Sequence, residues 1–251
     1  MKRILLKIGY DGTAYHGWQV QPNGITVQST LQDAIEKMLG KRLAVTGCSR
    51  TDAGVHAKEF FCHLDCDETL PETAFVRGLS ALLPSDISVL DAKEVAPDFH
   101  ARYSAKGKTY IYRIFNRNIK DPFLSRYTWQ IERSLNIDKM NEFCKSLVGK
   151  HDFYAFSSSG RTVTDTVRTV SDCFVWERDG IVSLSITADG FLYNMVRIIV
   201  GTAVSVSDGK IPPCDTEMIL SSKAREKAGI TAPPQGLMLD KVYYQECELN
   251  A

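Results

Sequence analysis

The order of apolar segments in the first half of the chain is the feature that most constrains the fold. Strand-like and helix-like segments follow one another there as β-α-β-β-α-β. The strands are predicted at residues 4–8, 43–45 (the end of a strand), 59–64 and 87–95, and the helices at residues 27–39 and from Pro71 to about Leu83. This order is that of a split βαβ unit, an antiparallel sheet with two helices on one face.

The second half follows the same plan without any visible sequence repeat. Residues 109–116 alternate as a strand does, and Arg178-Asp179-Gly180 is a hairpin turn between two strands. The remaining predictions are strands at residues 167–177, 181–186 and 237–244, and helices at residues 137–147, 191–206 and 215–220. The sequence therefore predicts an α+β fold with two domains, residues 1–105 and 106–251.

Composition excludes several classes of protein. Lys plus Arg equals Asp plus Glu, 30 each, so any nucleic-acid site has to be local. The seven cysteines form no CxxC pair and the five histidines no HxxxH pair, which indicates neither a disulfide framework nor a metal site. A signal peptide is not visible at Met1-Lys2-Arg3, which predicts a cytoplasmic protein with reduced thiols.

The most apolar stretch, residues 191–207, resembles a membrane span only superficially. It contains Arg197 and is shorter than the ~20 apolar residues that a span requires. A buried core helix is the better interpretation.

A polar loop between two apolar runs is the first candidate site. Ser49-Arg50-Thr51-Asp52-Ala53-Gly54 places a cation, a hydroxyl and a carboxylate within a few residues at the end of a predicted strand. Two interpretations fit equally well: a turn that Asp52 caps, and a loop that carries chemistry. The aromatic segment Tyr15-His16-Gly17-Trp18-Gln19 also has two equally weighted interpretations. It either anchors its own loop in the core or forms a surface that contacts a ligand.

A local excess of positive charge follows the first half. Residues 102–126 contain seven cations and one acid, interleaved with aromatic side chains. Cations neutralise phosphates and aromatic rings stack on unpaired bases, so this combination slightly favours an RNA-binding surface over a solvated edge strand. The candidate RNA-binding residues within it are Arg102, Lys106, Lys108 and Arg113.

Arg197 is the charged residue of the predicted apolar helix, residues 191–206. The environment of its side chain has two interpretations. An arginine is rarely buried without a partner, because an unpaired buried charge is costly. A carboxylate from the other half is then expected to pair with it, and Asp52 is the candidate. Alternatively, the side chain reaches solvent.

Five segments spread from residue 10 to residue 239 together resemble the tRNA pseudouridine synthase A family. They are Tyr10-Asp11-Gly12 with Tyr15-His16-Gly17-Trp18-Gln19, the loop Ser49 to His56, Asp98 to Arg102 with Lys108 to Tyr112, the helix Phe191 to Gly201, and Gly236-Leu237-Met238-Leu239. The connection from Gly160 to Arg168 carries no such signature.

The resemblance implies a fold and a reaction. The fold would be two ferredoxin-like (split βαβ) halves joined by a mostly antiparallel mixed sheet around a central RNA-binding cleft. The enzyme would be a cofactor-free, metal-free homodimer that isomerises uridines 38, 39 and 40 in the anticodon stem-loop of tRNA. Asp52 would be the nucleophile and Tyr110 would lie beside the target base, while Arg50 and Arg197 would be substrate-binding residues.

Two other functions fit parts of this pattern. A non-catalytic RNA-binding protein would use the basic, aromatic strand equally well, but it has no use for an arginine in an apolar helix. An aspartate-dependent hydrolase usually needs a second catalytic carboxylate, and none occurs at a convincing spacing. The sequence does not choose between attack of Asp52 on the sugar, attack on the base, and proton abstraction.

Overall fold

The structure is a computed structural model that describes residues 1–68, 70–160 and 164–245. The chain packs into two compact units, Met1–Gly107 together with the terminal segment that starts at Met238, and Lys108–Leu237. The α+β class is confirmed. The predicted domains, residues 1–105 and 106–251, differ from these units in the place of the terminal strand, and they stay a prediction. The unassigned connection from Gly160 to Arg168 includes residues 161–163, which lie outside the described ranges.

The first unit has the predicted order of elements. Its elements are β1 (Lys2–Tyr10), α1 (Val27–Leu39), β2 (Thr46–Gly47), β3 (His56–Cys66), α2 (Glu72–Leu82) and β4 (Ile87–Val95). Strand β1 lies between β4 and β3 and is antiparallel to both, while β2 pairs with the other edge of β3. The resulting order β4-β1-β3-β2 is that of a split βαβ sheet, so this prediction is confirmed.

The helix α1 has the bounds that its sequence predicts. Thr26 accepts a hydrogen bond from the backbone of Ser29, the Ser29 hydroxyl accepts one from the Thr26 backbone, and Gly40 ends the helix with a φ of 72°. Its buried face is Val27, Leu31, Ala34 and Ile35. Capping at both ends and an apolar stripe therefore fix this element locally.

The second strand of this order lies later than predicted, because β2 begins only at Thr46 and residues 43–45 are not part of it. The carbonyls of Leu43 and Val45 accept hydrogen bonds from the side-chain amides of Gln32 and Gln28 on α1, at 3.0 and 2.8 Å. Residues 43–45 are apolar because Val45 is buried in the core of the first unit. Their backbone carbonyls bond to side chains of α1 instead of to a neighbouring strand.

The second unit contains β5 (Gly107–Phe115), β6 (Trp129–Gln130), α3 (Ile137–Ser146), β7 (Gly149–Asp152), β8 (Val167–Arg178), β9 (Ile181–Ala188), α4 (Met195–Ser207) and α5 (Thr216–Ser222). The strands β5, β9, β8 and β7 are neighbours in that order, and each neighbouring pair is antiparallel. The hairpin predicted around Asp179 is confirmed, with Asp179 and Gly180 both at positive φ. The sequence analysis did not predict β6 and β7, which are only 2 and 4 residues long.

The buried helix begins later than its hydropathy predicts. It was expected from residue 191, but α4 starts at Met195 and residues 191–194 form a turn. Asn194 has a φ of 61°, a left-handed conformation that a continuing helix cannot include. Hydropathy reports burial and does not separate a buried turn from a buried helix. No helix in the described part of the chain is long and apolar enough to cross a membrane.

The last described strand, β10 (Leu237–Tyr243), returns to the first unit. It runs parallel to β3, where Met238 pairs with His56 and Leu239 pairs with Ala57. These pairs lie at the beginning of β3, directly after the loop that carries Asp52. The terminal motif, which includes Met238 and Leu239, thus pairs with the beginning of β3 next to the Asp52 loop.

Candidate active site

The loop that carries Asp52 connects β2 to β3. Its backbone turns at residues 52–55, where the Val55 amide donates to the Asp52 carbonyl at 3.1 Å and Gly54 has a φ of 76°. Thr51 is buried, Asp52 is half-buried and Arg50 is exposed. The structure therefore places the predicted nucleophile and a cation together in one short loop.

The segment that begins at the end of β1 holds this loop from several directions. The Tyr10 hydroxyl and the Thr51 hydroxyl share a buried hydrogen bond of 2.9 Å. The Trp18 amide donates to the Thr51 carbonyl at 3.2 Å, and the Gly54 amide donates to the Tyr15 carbonyl at 3.2 Å. Three bonds to the residues on either side of Asp52 leave its backbone little freedom.

The aromatic side chains of the same segment anchor it in the core. Trp18 is buried and its ring lies 4.2 Å from that of Phe60 on β3. The buried Tyr15 hydroxyl donates to Asp86 at 2.7 Å, and burial together with this carboxylate raises the pKa of Tyr15. The anchoring interpretation of this aromatic motif is thus confirmed, and what it anchors is the Asp52 loop.

A second carboxylate lies close to the start of β3. The Gly12 amide donates to Nδ1 of His56 at 3.1 Å, and a carboxylate oxygen of Asp11 lies 3.0 Å from the same nitrogen. His56 is buried. These contacts tie the first turn after β1 to the residue that follows the loop.

Tyr110 lies on β5 in the second unit. It is 5 % exposed, and its ring packs edge-on against Phe191 with centroids 5.0 Å apart and an interplanar angle of 82°. Phe191 belongs to the turn that leads into α4. The ring of Tyr110 is therefore held between its own strand and that turn.

Arg197 lies in the first turn of α4 and is half-buried, so it is less enclosed than its apolar neighbours suggest. Its Nε donates to the Ala232 carbonyl at 2.7 Å and its Nη1 donates to Oδ1 of Asn194 at 2.9 Å. Within the second unit, the turn at residues 191–194 thus contacts both Tyr110 and Arg197. The pairing of Arg197 with Asp52 stays a prediction.

Asn194 is the residue at this site that the sequence analysis missed. Besides accepting from Arg197, it donates from Nδ2 to the Ser158 hydroxyl at 2.9 Å. An asparagine before an apolar helix normally signals a helix cap. The sequence signal was present, but the apolar residues that precede Asn194 led to a longer helix being predicted.

The predicted RNA-binding residues differ in exposure. Arg102, Lys106 and Arg113 are exposed, whereas Lys108 is 8 % exposed. The ring of Tyr103 lies 5.8 Å from the guanidinium carbon of Arg102. The exposed three lie on the surface, where a polyanion can reach them, while Lys108 is part of a packed region.

Metal ligation finds no support among the residues that the structure describes, where no group of three or more His, Cys, Asp or Glu side chains could hold an ion. The described cysteines are free thiols, and Cys247 lies outside the described ranges. The expected absence of a cofactor stays a prediction.

Comparisons with known proteins agree over nearly the whole chain. A family model described as tRNA pseudouridine synthase matches residues 8–104 and 143–245. The chain is 47% identical over 244 residues to tRNA pseudouridine synthase A of Thermoanaerobacter sp. (strain X514), covering 97% of this chain and 100% of that protein. It is 44% identical over 245 residues to tRNA pseudouridine synthase A 2 of Clostridium perfringens (strain 13 / Type A), with the same coverage. A solved Cbf5-Nop10-Gar1 complex matches at 11% identity and a TM-score of 0.37, covering 95% of this chain and 59% of that chain, which is too weak to support an argument.

These matches first define a class, an isomerase that acts on tRNA. More narrowly, the chain belongs to the tRNA pseudouridine synthase family. The resemblance of the five sequence segments is thereby confirmed.

Proposed function

We propose that the protein converts uridine to pseudouridine at positions 38, 39 and 40 of the tRNA anticodon stem-loop, with Asp52 as the nucleophile and without a cofactor. The observation that carries the assignment of Asp52 is the fixation of its loop. Thr51 and Gly54 on either side of it are bonded to the end of β1 and to the segment that follows it. A side chain that performs chemistry needs such a preorganised support, whereas a simple turn does not.

The reaction explains why a carboxylate and no redox group is required. The N1–C1′ bond of uridine breaks, the base rotates, and C5 bonds to C1′. C5 then loses its proton and N1 gains one, so atoms and electrons balance without a co-reactant. An ionised carboxylate serves this sequence through attack on the sugar, attack on the base, or removal of a proton.

Tyr110, Arg50 and Arg197 are proposed to bind the substrate. The ring of Tyr110 is fixed against Phe191 and can present an aromatic edge to uracil. Arg50 is exposed in the Asp52 loop, where it can bind phosphate or fill the space that a flipped base leaves. Tyr110→Phe keeps the ring, so loss of turnover in this variant would assign a catalytic role to the hydroxyl.

Replacement of Asp52 tests the central assignment. Asp52→Asn keeps the shape of the side chain and removes its charge. Incubated with uridine-containing tRNA transcript and no added cofactor, this variant is expected to form no pseudouridine while it still binds tRNA. Asp179→Asn, at the exposed hairpin tip where asparagine tolerates the positive φ, is the matched control. Retained turnover by Asp52→Asn would remove Asp52 from the mechanism.

A role for Arg197 in keeping the Asp52 carboxylate ionised is a proposal from the sequence. A nearby cation lowers the pKa of a carboxylate, which opposes the effect of a dry pocket. In Arg197→Met the acidic limb of the pH profile of kcat/KM should therefore move to higher pH. An unchanged limb together with lower activity would assign Arg197 to support of α4 alone.

The assembly and location are also proposals. Sedimentation of the purified chain is expected to show a homodimer, as the family resemblance implies, and a monomer at micromolar concentration would contradict this. A cytoplasmic location stays a prediction from the sequence.

A further inference from the structure

A largely exposed aromatic ring follows β4 in the first unit. Tyr103 is 76% exposed, although a single exposed aromatic side chain needs no explanation by itself. This ring differs from a loose surface residue because it lies on another ring. The centroids of Tyr103 and His100 are 4.3 Å apart and their planes are inclined by 35°.

The backing ring is itself fixed. His100 packs edge-on against the buried His63 of β3, with centroids 5.1 Å apart. Its Nδ1 accepts hydrogen bonds from the backbone amides of Arg102 and Tyr103 at 3.1 and 3.3 Å. The Ser104 amide donates to the His100 carbonyl at 2.9 Å, which closes the turn. Ring contacts thus connect His63 on β3 through His100 to the exposed Tyr103. The hydrogen bonds of the turn hold His100 and Tyr103 in this arrangement.

The positive charge of this surface comes from arginine. An Nδ1 that accepts from backbone amides carries no proton, and burial lowers the pKa of His100. The guanidinium carbon of the exposed Arg102 lies 5.8 Å from the centroid of the Tyr103 ring. An aromatic face with an adjacent guanidinium matches a nucleobase and its phosphate.

We propose that Tyr103 and Arg102 form a stacking site for an unpaired base of the substrate tRNA, with His100 as its support. This inference rests on the proposed action of the protein on tRNA. The base is distinct from the target uridine, since the stack begins at His63, seven residues beyond His56 on β3. At ~3.3 Å per residue, His63 is about 23 Å from His56 along the strand. The two ring contacts from His63 to Tyr103, 5.1 and 4.3 Å between centroids, span less than half of that distance. The site therefore contributes to binding of the RNA, away from the bond that is rearranged.

Affinity for an unmodified tRNA transcript, measured by fluorescence anisotropy over a series of salt concentrations, tests this site. Tyr103→Leu keeps apolar bulk and removes the ring, and Tyr103→Phe keeps the ring. From the free energy of stacking one base on an aromatic ring, Tyr103→Leu should raise Kd by about 5-fold to 150-fold with an unchanged salt slope. Tyr103→Phe should restore most of the affinity, whereas Arg102→Gln should reduce the slope.

Three results would overturn the proposal. These are wild-type affinity in Tyr103→Leu, an equal loss in Tyr103→Phe, or a changed salt slope in Tyr103→Leu, which would mean a phosphate contact. A thermal melt confirms that the exposed substitutions leave the fold intact. Because the measured quantity is Kd and not the amount of pseudouridine formed, the result is independent of whether Asp52→Asn abolishes pseudouridine formation.

Discussion

The hydroxyl groups of Tyr10 and Thr51 share a buried hydrogen bond of 2.9 Å, one residue before the proposed nucleophile. Tyr10 ends β1 and Thr51 lies in the loop between β2 and β3, so the bond joins the centre of the first sheet to the Asp52 loop. The position of Asp52 therefore depends on the sheet and not only on its own turn.

Removing one partner of this bond should affect both stability and turnover. Thr51→Val keeps the branched shape and deletes the hydroxyl, which should lower the free energy of unfolding by about 1–2 kcal/mol. Turnover at saturating tRNA should fall as well, since the loop is less firmly held. Urea unfolding of Tyr10→Phe, Thr51→Val and the double variant measures the coupling between the two side chains. Additive effects would mean that the hydrogen bond contributes nothing.

Close backbone approach at Gly17 gives a second prediction. Gly17 has a φ of 82°, and a Cβ there would overlap the carbonyl oxygen of Thr51. Gly40 has a φ of 72° with no atom within 4 Å of a Cβ, so Gly40→Ala isolates the cost of the backbone conformation, about 1–2 kcal/mol. Gly17→Ala should lose more stability than this control and most of its turnover. Equal losses in unfolding experiments would show that the contact with Thr51 is relaxed at no cost.

The fold was predictable where local signals agree. The helix α1 has a cap, an apolar stripe and a terminal glycine, and its predicted bounds are those observed. Prediction failed where a buried apolar residue lies outside a helix or strand. Val45 is buried, but its carbonyl bonds to a helix side chain, and Leu192 is buried in the turn before α4.

The site was predictable as a set of residue types and not as a set of contacts. The motif around Asp52 identified a carboxylate in a loop, but no periodicity relates Tyr10 to Thr51, which are 41 residues apart. The same holds for the bond from Arg197 to the Ala232 carbonyl, 35 residues away. Such long-range pairs depend on the completed fold, so a single sequence does not reveal them.

The turn before α4 gives a third prediction. Asn194 combines a left-handed backbone with side-chain bonds to Arg197 and Ser158. Asn194→Gly keeps the backbone and loses both bonds, whereas Asn194→Ala also introduces about 1–2 kcal/mol of backbone strain. Both variants should lose turnover, and Asn194→Ala should be the less stable of the two in urea. Full activity of both would exclude a role for this contact in placing Arg197.

The basic surface gives a fourth prediction, through salt dependence. Lys106 is exposed and belongs to the cation-rich segment, so Lys106→Gln should reduce the slope of log affinity against log salt by up to about 0.9 if one phosphate contact is lost. Lys210 is also a surface lysine, lies outside that segment and is 3.0 Å from Asp208. Lys210→Gln should therefore leave the slope unchanged. A wild-type slope in Lys106→Gln would exclude this lysine from the RNA contacts.

The buried histidine beneath the Tyr103 stack gives a prediction for pH. Burial, Arg3 and His100 lower the pKa of His63 to about 4, while Asp65 acts in the opposite direction. An unfolded histidine titrates near 6.5, so between these values the unfolded state binds more protons. The contribution of His63, less than about 3 kcal/mol after solvent screening, is complete above pH 6.5 and is lost progressively as the pH falls towards 4. His63→Asn offers another acceptor to the Ala101 amide, which donates to Nδ1 at 3.2 Å, without this titration. Urea unfolding at pH 7.0, 5.5 and 4.5 should show a smaller decline for the variant than for the wild type, and parallel declines would mean that His63 titrates normally.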